Sequence, residues 1–267
     1  MVESDPIYVF ATNETGHHEN ELASLAVHRF GAKRSVGSGL VGRSYAIPVL
    51  NREGQRLASS RIIEEFQRFK EFAAANPSER FMLSRIGCDS IGFKDERVFG
   101  YFKDCPSNVD LPGVWRKRMD PSYQVLGITG SQKINMQDIV DDVLNIIVPL
   151  YSSFSPILKF VVGDEDGADF CAAKYLAQKD FDFEVVPTNW EHDGARAGAV
   201  RNRIMSHRCT HMVLFDDGEC AKSAHMRRVI SDEGVDLSNA SVTIAAKVVD
   251  KEQSAERSKG LLAKMSL

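Results

Sequence analysis

The sequence lacks the marks of membrane, secreted and metal-binding proteins. No stretch approaches the roughly 20 apolar residues of a membrane-spanning helix, and the start MVESDP has neither the basic nor the apolar region of a signal peptide, so we expect a cytoplasmic protein. The five cysteines are an odd number without a C-x-x-C pair, which argues against a disulfide framework and a thiolate metal site. The consecutive acidic residues at 164–166 are spaced poorly for a metal cage, so no metal is predicted.

The loop after the first strand of the second half lacks two common cofactor motifs, and the net charge is small. The segment 127–131 is neither G-x-G-x-x-G nor a Walker A motif, so no cofactor is predicted. The 33 basic and 37 acidic residues give a net charge of −4, divided as +1 up to residue 120 and −5 after it. A weakly acidic chain is not held on nucleic acid by bulk electrostatics, so we do not expect a nucleic-acid partner. The hydrophobic fraction of 43% is ordinary for a globular protein, and 267 residues suffice for about two domains.

Strand and helix patterns alternate along the whole chain, which predicts an α/β protein. In the first half, strands are predicted at 7–10, 44–48 and 81–87, with helices at about 19–30 and 60–75. In the second half, strands are predicted at 123–128, 157–162, 182–186, 211–215 and 241–248, with helices at about 136–152, 168–178, 195–207 and 223–233. The polar segment 116–122 marks a domain boundary.

These patterns predict two α/β domains. The first covers 1–118, and the second, over 122–250, is an open parallel sheet of the Rossmann-like kind with helices on both faces. A charged tail follows over 251–267. Ligands of such sheets bind beyond the carboxyl ends of the strands, so the loops at those ends should carry the function.

Two predicted loops offer small residues and a carboxylate to a ligand. At Thr129, Gly130 and Ser131, small side chains let backbone N–H groups and hydroxyls approach a phosphate near the next helix. Gly163 and Gly167 bracket another loop, before residue 169. A tight strand–helix turn explains the first loop equally well.

Asp169 and the two later loops add charged groups and an aromatic ring. Asp169 starts a helix, where a carboxylate caps N–H groups or meets a ligand hydroxyl. Trp190 can stack on a base, and Arg201 and Asn202 carry donors for phosphate or ribose. The alternative is that neither residue binds a ligand: the tryptophan would cover part of the core, and the arginine would lie on a solvent-exposed helix face.

Together the loops resemble the SLOG superfamily of Rossmann-like nucleotide-binding domains, which includes the cytokinin-activating phosphoribohydrolases and the DNA-processing protein DprA. The likeness covers about 123–235. Its segments are TGSQ at 129–132, GDEDGAD at 163–169, Trp190, AGAVRNRIM at 197–205 and DGECAKS at 217–223. The resemblance implies a small-molecule nucleotide ligand and, since relatives often dimerise, a homodimer. Gly218, Lys222 and Ser223 would then bind phosphate.

The departures from this family bear on catalysis. Lys222 and Ser223 stand where the family has a Gly-Thr pair, and no glutamate matches the one that supports glycosidic-bond hydrolysis. The resemblance therefore favours ligand binding over hydrolysis. If the protein is an enzyme, we expect N-glycosidic or phosphoester hydrolysis, with Asp217 or Glu219 orienting water. The alternatives are a non-catalytic sensor or sponge for a signalling nucleotide and a DprA-like single-strand DNA binder.

The first half resembles a macro-domain-like family of bacterial and phage proteins. The segments that carry the likeness are FATN at 10–13, GLVGRSYAIP at 39–48, IGCDSIGF at 86–93 and NVDLP at 108–112. Macro domains bind ADP-ribose, and the resemblance implies Asn13 near the distal ribose and the loop from Gly87 to Gly92 around the diphosphate. Asp89 replaces a family glycine there, and a carboxylate repels a diphosphate. Together the two resemblances predict a protein that binds an ADP-ribose- or NAD-derived nucleotide.

Overall fold

The chain divides into two compact α/β units, Met1–Trp115 and Arg116–Leu267. A computed structural model describes residues 6–17, 21–88, 91–216, 221–237 and 241–243. Among the helices of these ranges, none is long and apolar enough to cross a membrane. The predicted α/β class is confirmed, with one mixed sheet and one parallel sheet. The predicted tail 251–267 and the end of the predicted last strand lie outside the described residues.

The N-terminal unit is built on a five-stranded mixed sheet. Its strands are β1 (Ile7–Asn13), β2 (Gly39–Val41), β3 (Ser44–Leu50), β4 (Phe81–Leu83) and β5 (Val109–Asp110). Its helices are α1 (Glu21–Phe30), α2 (Ser59–Ala75), α3 (Asp95–Phe102) and α4 (Gly113–Met119), the last of which continues past the division of the units. The strand order is β2-β3-β1-β4-β5, with β2 antiparallel to β3 and the other pairs parallel.

Aromatic side chains fill the core of this unit. Phe66 and Phe69 of α2 pack on Phe102 of α3, with ring centroids 4.7 and 6.3 Å from that of Phe102. Trp115 is fully buried in α4, stacks on Phe102 and donates its indole N–H to Asp95 at 2.9 Å. Because this ring anchors α4, the helix persists to residue 119, into the segment at which the sequence predicted a domain boundary.

The C-terminal unit is built on a five-stranded parallel sheet. Its strands are β6 (Val125–Gly130), β7 (Lys159–Val162), β8 (Phe183–Val185), β9 (His211–Asp216) and β10 (Ser241–Thr243). Its helices are α5 (Gln137–Phe154), α6 (Ala168–Gln178), α7 (Trp190–Asp193), α8 (Ala197–Arg208) and α9 (Ala221–Asp232).

The strand order of this sheet is β10-β9-β6-β7-β8, and every pairing is parallel. Counted from β6 as the unit's first strand and read from the β8 edge, the order is 3-2-1-4-5. The chain first builds outward through β7 and β8 and then returns to the other side of β6. Right-handed crossovers in such a sheet place helices on both faces. The strand order reverses between β6 and β9, which is the position at which open parallel sheets bind ligands beyond the carboxyl ends of their strands.

The buried strands explain why this sheet forms. Leu126 and Ile128 of β6 share one core cluster with Phe160 and Val162 of β7 and with apolar side chains of α5 and α6. On the helical side, Val140, Leu144 and related residues of α5 recur at helical spacing and supply the matching stripe. The unit thus buries parallel strands beneath amphipathic helices, as the alternation predicted.

The predicted bounds of the long helices agree closely with the observed ones, whereas several short elements were not predicted. The helix predicted at 168–178 is α6 with the same bounds, and the helix predicted at 195–207 is α8, Ala197–Arg208. The strand predicted at 81–87 ends at Leu83, because Gly87 at the end of that segment turns with φ +69°. The patterns of β2, β5 and α3 are too short to stand out from the surrounding loops.

Candidate functional site

The predicted ligand-binding residues of the C-terminal unit meet at the carboxyl edge of its sheet. Thr129 and Gly130 end β6, Asp169 lies in the first turn of α6, and Arg201 lies in α8. The loop after β6 lies where the strand order reverses. Three segments that are distant in sequence are thereby brought to one place.

Asp169 is the centre of this cluster and is 0% exposed. One carboxylate oxygen accepts from the Thr129 hydroxyl at 2.8 Å and from the Gly130 backbone N–H at 3.0 Å. The other accepts from the Glu165 backbone N–H at 3.2 Å and from Nη1 of Arg201 at 3.0 Å. Burial raises the pKa of Asp169, and the Arg201 charge and the hydrogen bonds act against that shift. The carboxylate thus ties β6, the β7–α6 loop and α8 together.

Arg201 is 4% exposed and turns its donors toward the protein. Its Nη1 lies 3.0 Å from Asp169, 3.4 Å from Asp164 and 3.8 Å from Glu165. Its Nε and Nη2 donate to the side-chain oxygen of Asn202 at 3.3 and 3.0 Å. Asn202 is buried too. The side chains of Arg201 and Asn202, which were predicted to bind a ligand, therefore already make hydrogen bonds or ion pairs within the protein.

The two glycines of the β7–α6 loop are required by this cluster. A Cβ on Gly163 would lie 2.7 Å from Cγ of Asp169 and 2.8 Å from Nη1 of Arg201. Gly167 precedes α6 with φ +79°, and a Cβ there would meet the backbone of Gln132 at 2.6 Å. Because both positions exclude a side chain by close packing, their glycines need no ligand to explain them.

An outer layer of charges surrounds the buried pair. Asp164 accepts from the backbone N–H and the hydroxyl of Thr188. Burial acts to raise the pKa of Asp164, but the Thr188 hydrogen bonds and the Arg201 charge lower it overall. Lys222, in the first turn of α9, donates to both carboxylate oxygens of the buried Glu165 at 2.9 Å, although its own side chain is 46% exposed.

Trp190 stands beside this layer and faces solvent. It begins α7, two residues after Thr188, whose bonds to Asp164 bring that segment to the carboxyl edge. Asn189 caps the short helix by accepting from the His192 backbone N–H at 3.1 Å. The indole is 55% exposed, so its ring is available for stacking, and the alternative of a tryptophan that covers core does not apply.

Of the remaining predicted residues of this unit, some are buried and others lie outside the described part of the chain. Ser131 is buried, its backbone N–H donates to the Phe215 carbonyl at 2.8 Å, and its hydroxyl accepts from the Lys133 N–H at 3.2 Å. Ser223 is buried in the first turn of α9, and its hydroxyl has no hydrogen-bond partner within the described part of the chain. The predicted catalytic residues Asp217 and Glu219, together with Gly218, lie outside the described residues.

In the N-terminal unit, the predicted residues also lie at strand ends. Asn13 ends β1, and its side-chain oxygen accepts from the Thr15 hydroxyl at 3.0 Å and from the His17 N–H at 2.7 Å, which closes a turn. Gly87 and Gly92 follow the neighbouring strand β4, both with positive φ. Asp89 of this loop lies outside the described residues.

The partners of the predicted residues were not foreseen from the sequence. The signal was present: an arginine and a lysine at a strand edge beside three acidic residues predict ion pairs as readily as ligand contacts. In the described ranges, no group of three or more His, Cys, Asp or Glu side chains is arranged to hold a metal ion. Comparisons with protein-family models, with curated proteins and with solved structures found no match.

Proposed function

We propose that the C-terminal unit is a Rossmann-like domain that binds an ADP-ribose- or NAD-derived nucleotide over the carboxyl ends of β6 and β9. The observation that carries the proposal is the 3-2-1-4-5 parallel order, which reverses between β6 and β9. Open parallel sheets of this order hold nucleotides at that position. The small residues at the end of β6 let a ligand approach the backbone.

Asp169 and Arg201 act in this proposal as the floor of the site. They are buried and hydrogen-bonded to the protein, so they hold the β6, β7 and α8 ends in fixed positions. Contact with the ligand falls to groups that face solvent, above all Trp190 and Lys222. This assigns the predicted residues to two layers with different roles.

Lys222 is suited to bind a ligand anion. Its ammonium is nearly half exposed, so a ligand phosphate can approach it from solvent while it still faces Glu165. Lys222 lies in the first turn of α9, where the positive end of the helix dipole also favours an anion. Glu165 also has the Arg201 guanidinium at 3.8 Å as a partner.

The described carboxylates favour the second hypothesis, in which the site binds the nucleotide without hydrolysing it. Asp164, Glu165 and Asp169 all form ion pairs with Arg201, and Asp216 accepts from Nε of Arg227 at 2.8 Å. A carboxylate in such a pair is a weak general base because its oxygens already accept from donors of the protein and are not free to take a proton from water. Hydrolysis through Asp217 or Glu219 stays a prediction.

The test is calorimetric titration of the full chain with ADP-ribose, NAD and AMP. Trp190→Ala should weaken the binding of the preferred ligand about 5- to 150-fold, because a stacked base contributes ~1–3 kcal/mol. Trp190→Phe, which keeps a ring, should recover part of the loss. Phe154→Ala is the matched control, since Phe154 is 79% exposed at the end of α5, toward the opposite edge of the sheet.

Mass spectrometry of the incubated mixture then separates the two readings. An unchanged ligand supports sequestration, and release of a free base or of phosphoribose supports hydrolysis. Absence of binding by all three nucleotides, or equal binding by wild type and Trp190→Ala, would contradict the proposed site. Salt-sensitive binding to single-stranded DNA with no nucleotide binding would favour the DprA-like alternative.

A further inference from the structure

A cavity of about 310 Å³ lies in the N-terminal unit, between the first turns of α2 and α3. Its buried floor is formed by Ile62 and Phe66 of α2 and by Val98 of α3. Small-molecule sites are concave and mostly apolar, with volumes of roughly 300–1,000 Å³ and a few polar groups that orient the ligand. This cavity is at the lower end of that range, which suits a small apolar body.

The charged side chains in the described lining of the cavity are all basic. Arg56, Lys94 and Arg97 line it, and the described lining contains no aspartate or glutamate. Arg56 is held in place, since its guanidinium donates to the Gly92 carbonyl at 3.3 Å and lies 5.3 Å from the ring centroid of Phe93. The side chains of Lys94 and Arg97 make no hydrogen bond or ion pair with any described residue.

The two helices that flank the cavity also begin there without a cap. Ala58 precedes α2 and Lys94 precedes α3, and neither side chain makes a capping hydrogen bond. The orphan N–H groups and the positive dipole end of each helix favour an anion, and serine, threonine or aspartate is the usual residue at such positions. A lysine beside a helix start adds like charge. Local rules broken twice at one place indicate a functional site.

The carboxylates at the start of α3 lie outside the cavity lining. The first turn of α3 contains Asp95 and Glu96, and neither lines the cavity. Asp95 accepts from Arg85 at 2.8 Å and from the Trp115 indole at 2.9 Å. Among the described residues, the cavity therefore combines an apolar floor, three cations and two helix starts with no carboxylate in its lining.

We propose that this cavity binds a small organic anion, a carboxylate or phosphate monoester on an apolar body. The anionic group would lie against Lys94, Arg97 and the helix starts, and the apolar body would cover Ile62 and Phe66. The site belongs to a different unit from the proposed nucleotide site and does not depend on it. The apolar floor favours an alkyl or aryl body over the larger and more polar body of a nucleotide.

The experiment is a fluorescence titration of the full chain with 1-anilinonaphthalene-8-sulfonate, an apolar anion, followed by displacement with octanoate, octyl phosphate or ADP-ribose. Octanoate or octyl phosphate should displace the dye. Affinity should rise about fourfold for each methylene added from butyrate to octanoate, as expected for burial of alkyl groups. The alkyl carboxylate and the alkyl phosphate distinguish the two anionic groups.

Two double variants separate local binding from bulk charge. Lys94→Gln/Arg97→Gln should weaken displacement at least about tenfold, which corresponds to loss of two charge-assisted contacts. Arg52→Gln/Lys103→Gln removes the same charge from exposed positions that do not line the cavity and should change affinity less than about twofold. Ile63→Ser, at a half-exposed wall position, should flatten the dependence on chain length.

Three outcomes would overturn the proposal. The first is failure of both alkyl anions to displace the dye. The second is an equal loss in the two double variants, which would assign binding to net charge. The third is displacement by ADP-ribose alone, with the same dependence on Lys94 and Arg97, which would make the cavity a nucleotide site.

Discussion

Replacing Arg201 with methionine should strongly destabilise the C-terminal unit. The guanidinium is 4% exposed, and its ion-pair partner Asp169 is 0% exposed, so the substitution leaves a buried carboxylate without its cation. Breaking a buried pair in this way costs about 3–5 kcal/mol. Methionine fills much of the same volume, so the loss reports the charge and its hydrogen bonds more than a cavity. The free energy of unfolding of an ordinary domain is about 5–15 kcal/mol, so this loss would be a large part of it.

The assay is urea unfolding with pulsed hydrogen exchange, read by mass spectrometry of peptides. Peptides of the C-terminal unit report the change, and peptides of the N-terminal unit are an internal reference. Arg208→Met is the matched control on the same helix. Arg208 pairs with Glu184, but both side chains are more than a third exposed, so that variant should lose no more than about 1 kcal/mol.

A double-mutant cycle tests whether Asp169 is the partner that matters. The double variant Asp169→Asn/Arg201→Met should lose about 1–3 kcal/mol less stability than the sum of the two single losses. Either single substitution leaves the other residue as an unpaired buried charge, whereas the double substitution removes both charges. A loss for Arg201→Met no greater than that for Arg208→Met would refute the reasoning. It would mean that Arg201 is solvated and available to a ligand.

Three further predictions concern the close packing, a buried histidine and a buried thiol. Gly163→Ala should cost at least about 2 kcal/mol, since its Cβ would press on the Asp169–Arg201 pair. Gly198→Ala, whose Cβ would lie at an ordinary 3.8 Å from Oε1 of Glu165, should be neutral or stabilising, and urea midpoints compare the two variants. His211 accepts from Lys117 at 2.9 Å, and burial, then the Lys117 charge, lower its pKa to about 4. The unfolded chain therefore takes up a proton first, and stability should fall by about 2 kcal/mol, after allowance for screening, as the pH drops from about 6.5 to about 4. A pH dependence of the urea midpoint that is unchanged in His211→Gln would contradict this. Burial raises the pKa of Cys209, so iodoacetamide at pH 8 should label it only in urea; rapid labelling of the native chain would place it at the surface.

The sequence by itself predicted the α/β class and most long elements. Helix periodicity along α5 and α6 and the apolar runs of β6 and β9 are local signals, because they follow from how side chains repeat along a helix or a strand. Parallel strands carry their loops to a common edge, so the clustering of Thr129, Gly163 and Arg201 followed from the alternation alone. Short elements such as β5 and α3 carried too few residues for a period to show.

Only the tertiary structure decided what the charged side chains do. Asp169 and Arg201 are 32 positions apart, and Glu165 and Lys222 are 57 apart, so no local pattern states that they pair. The same holds for the cavity between α2 and α3, which exists because two helix starts meet around Arg56. An exposed arginine offers its donors to a ligand, whereas a buried one must pair with the protein, because an unpaired charge away from water is too costly. Burial is a property of the packed chain, so the role of Arg201 depends on the fold.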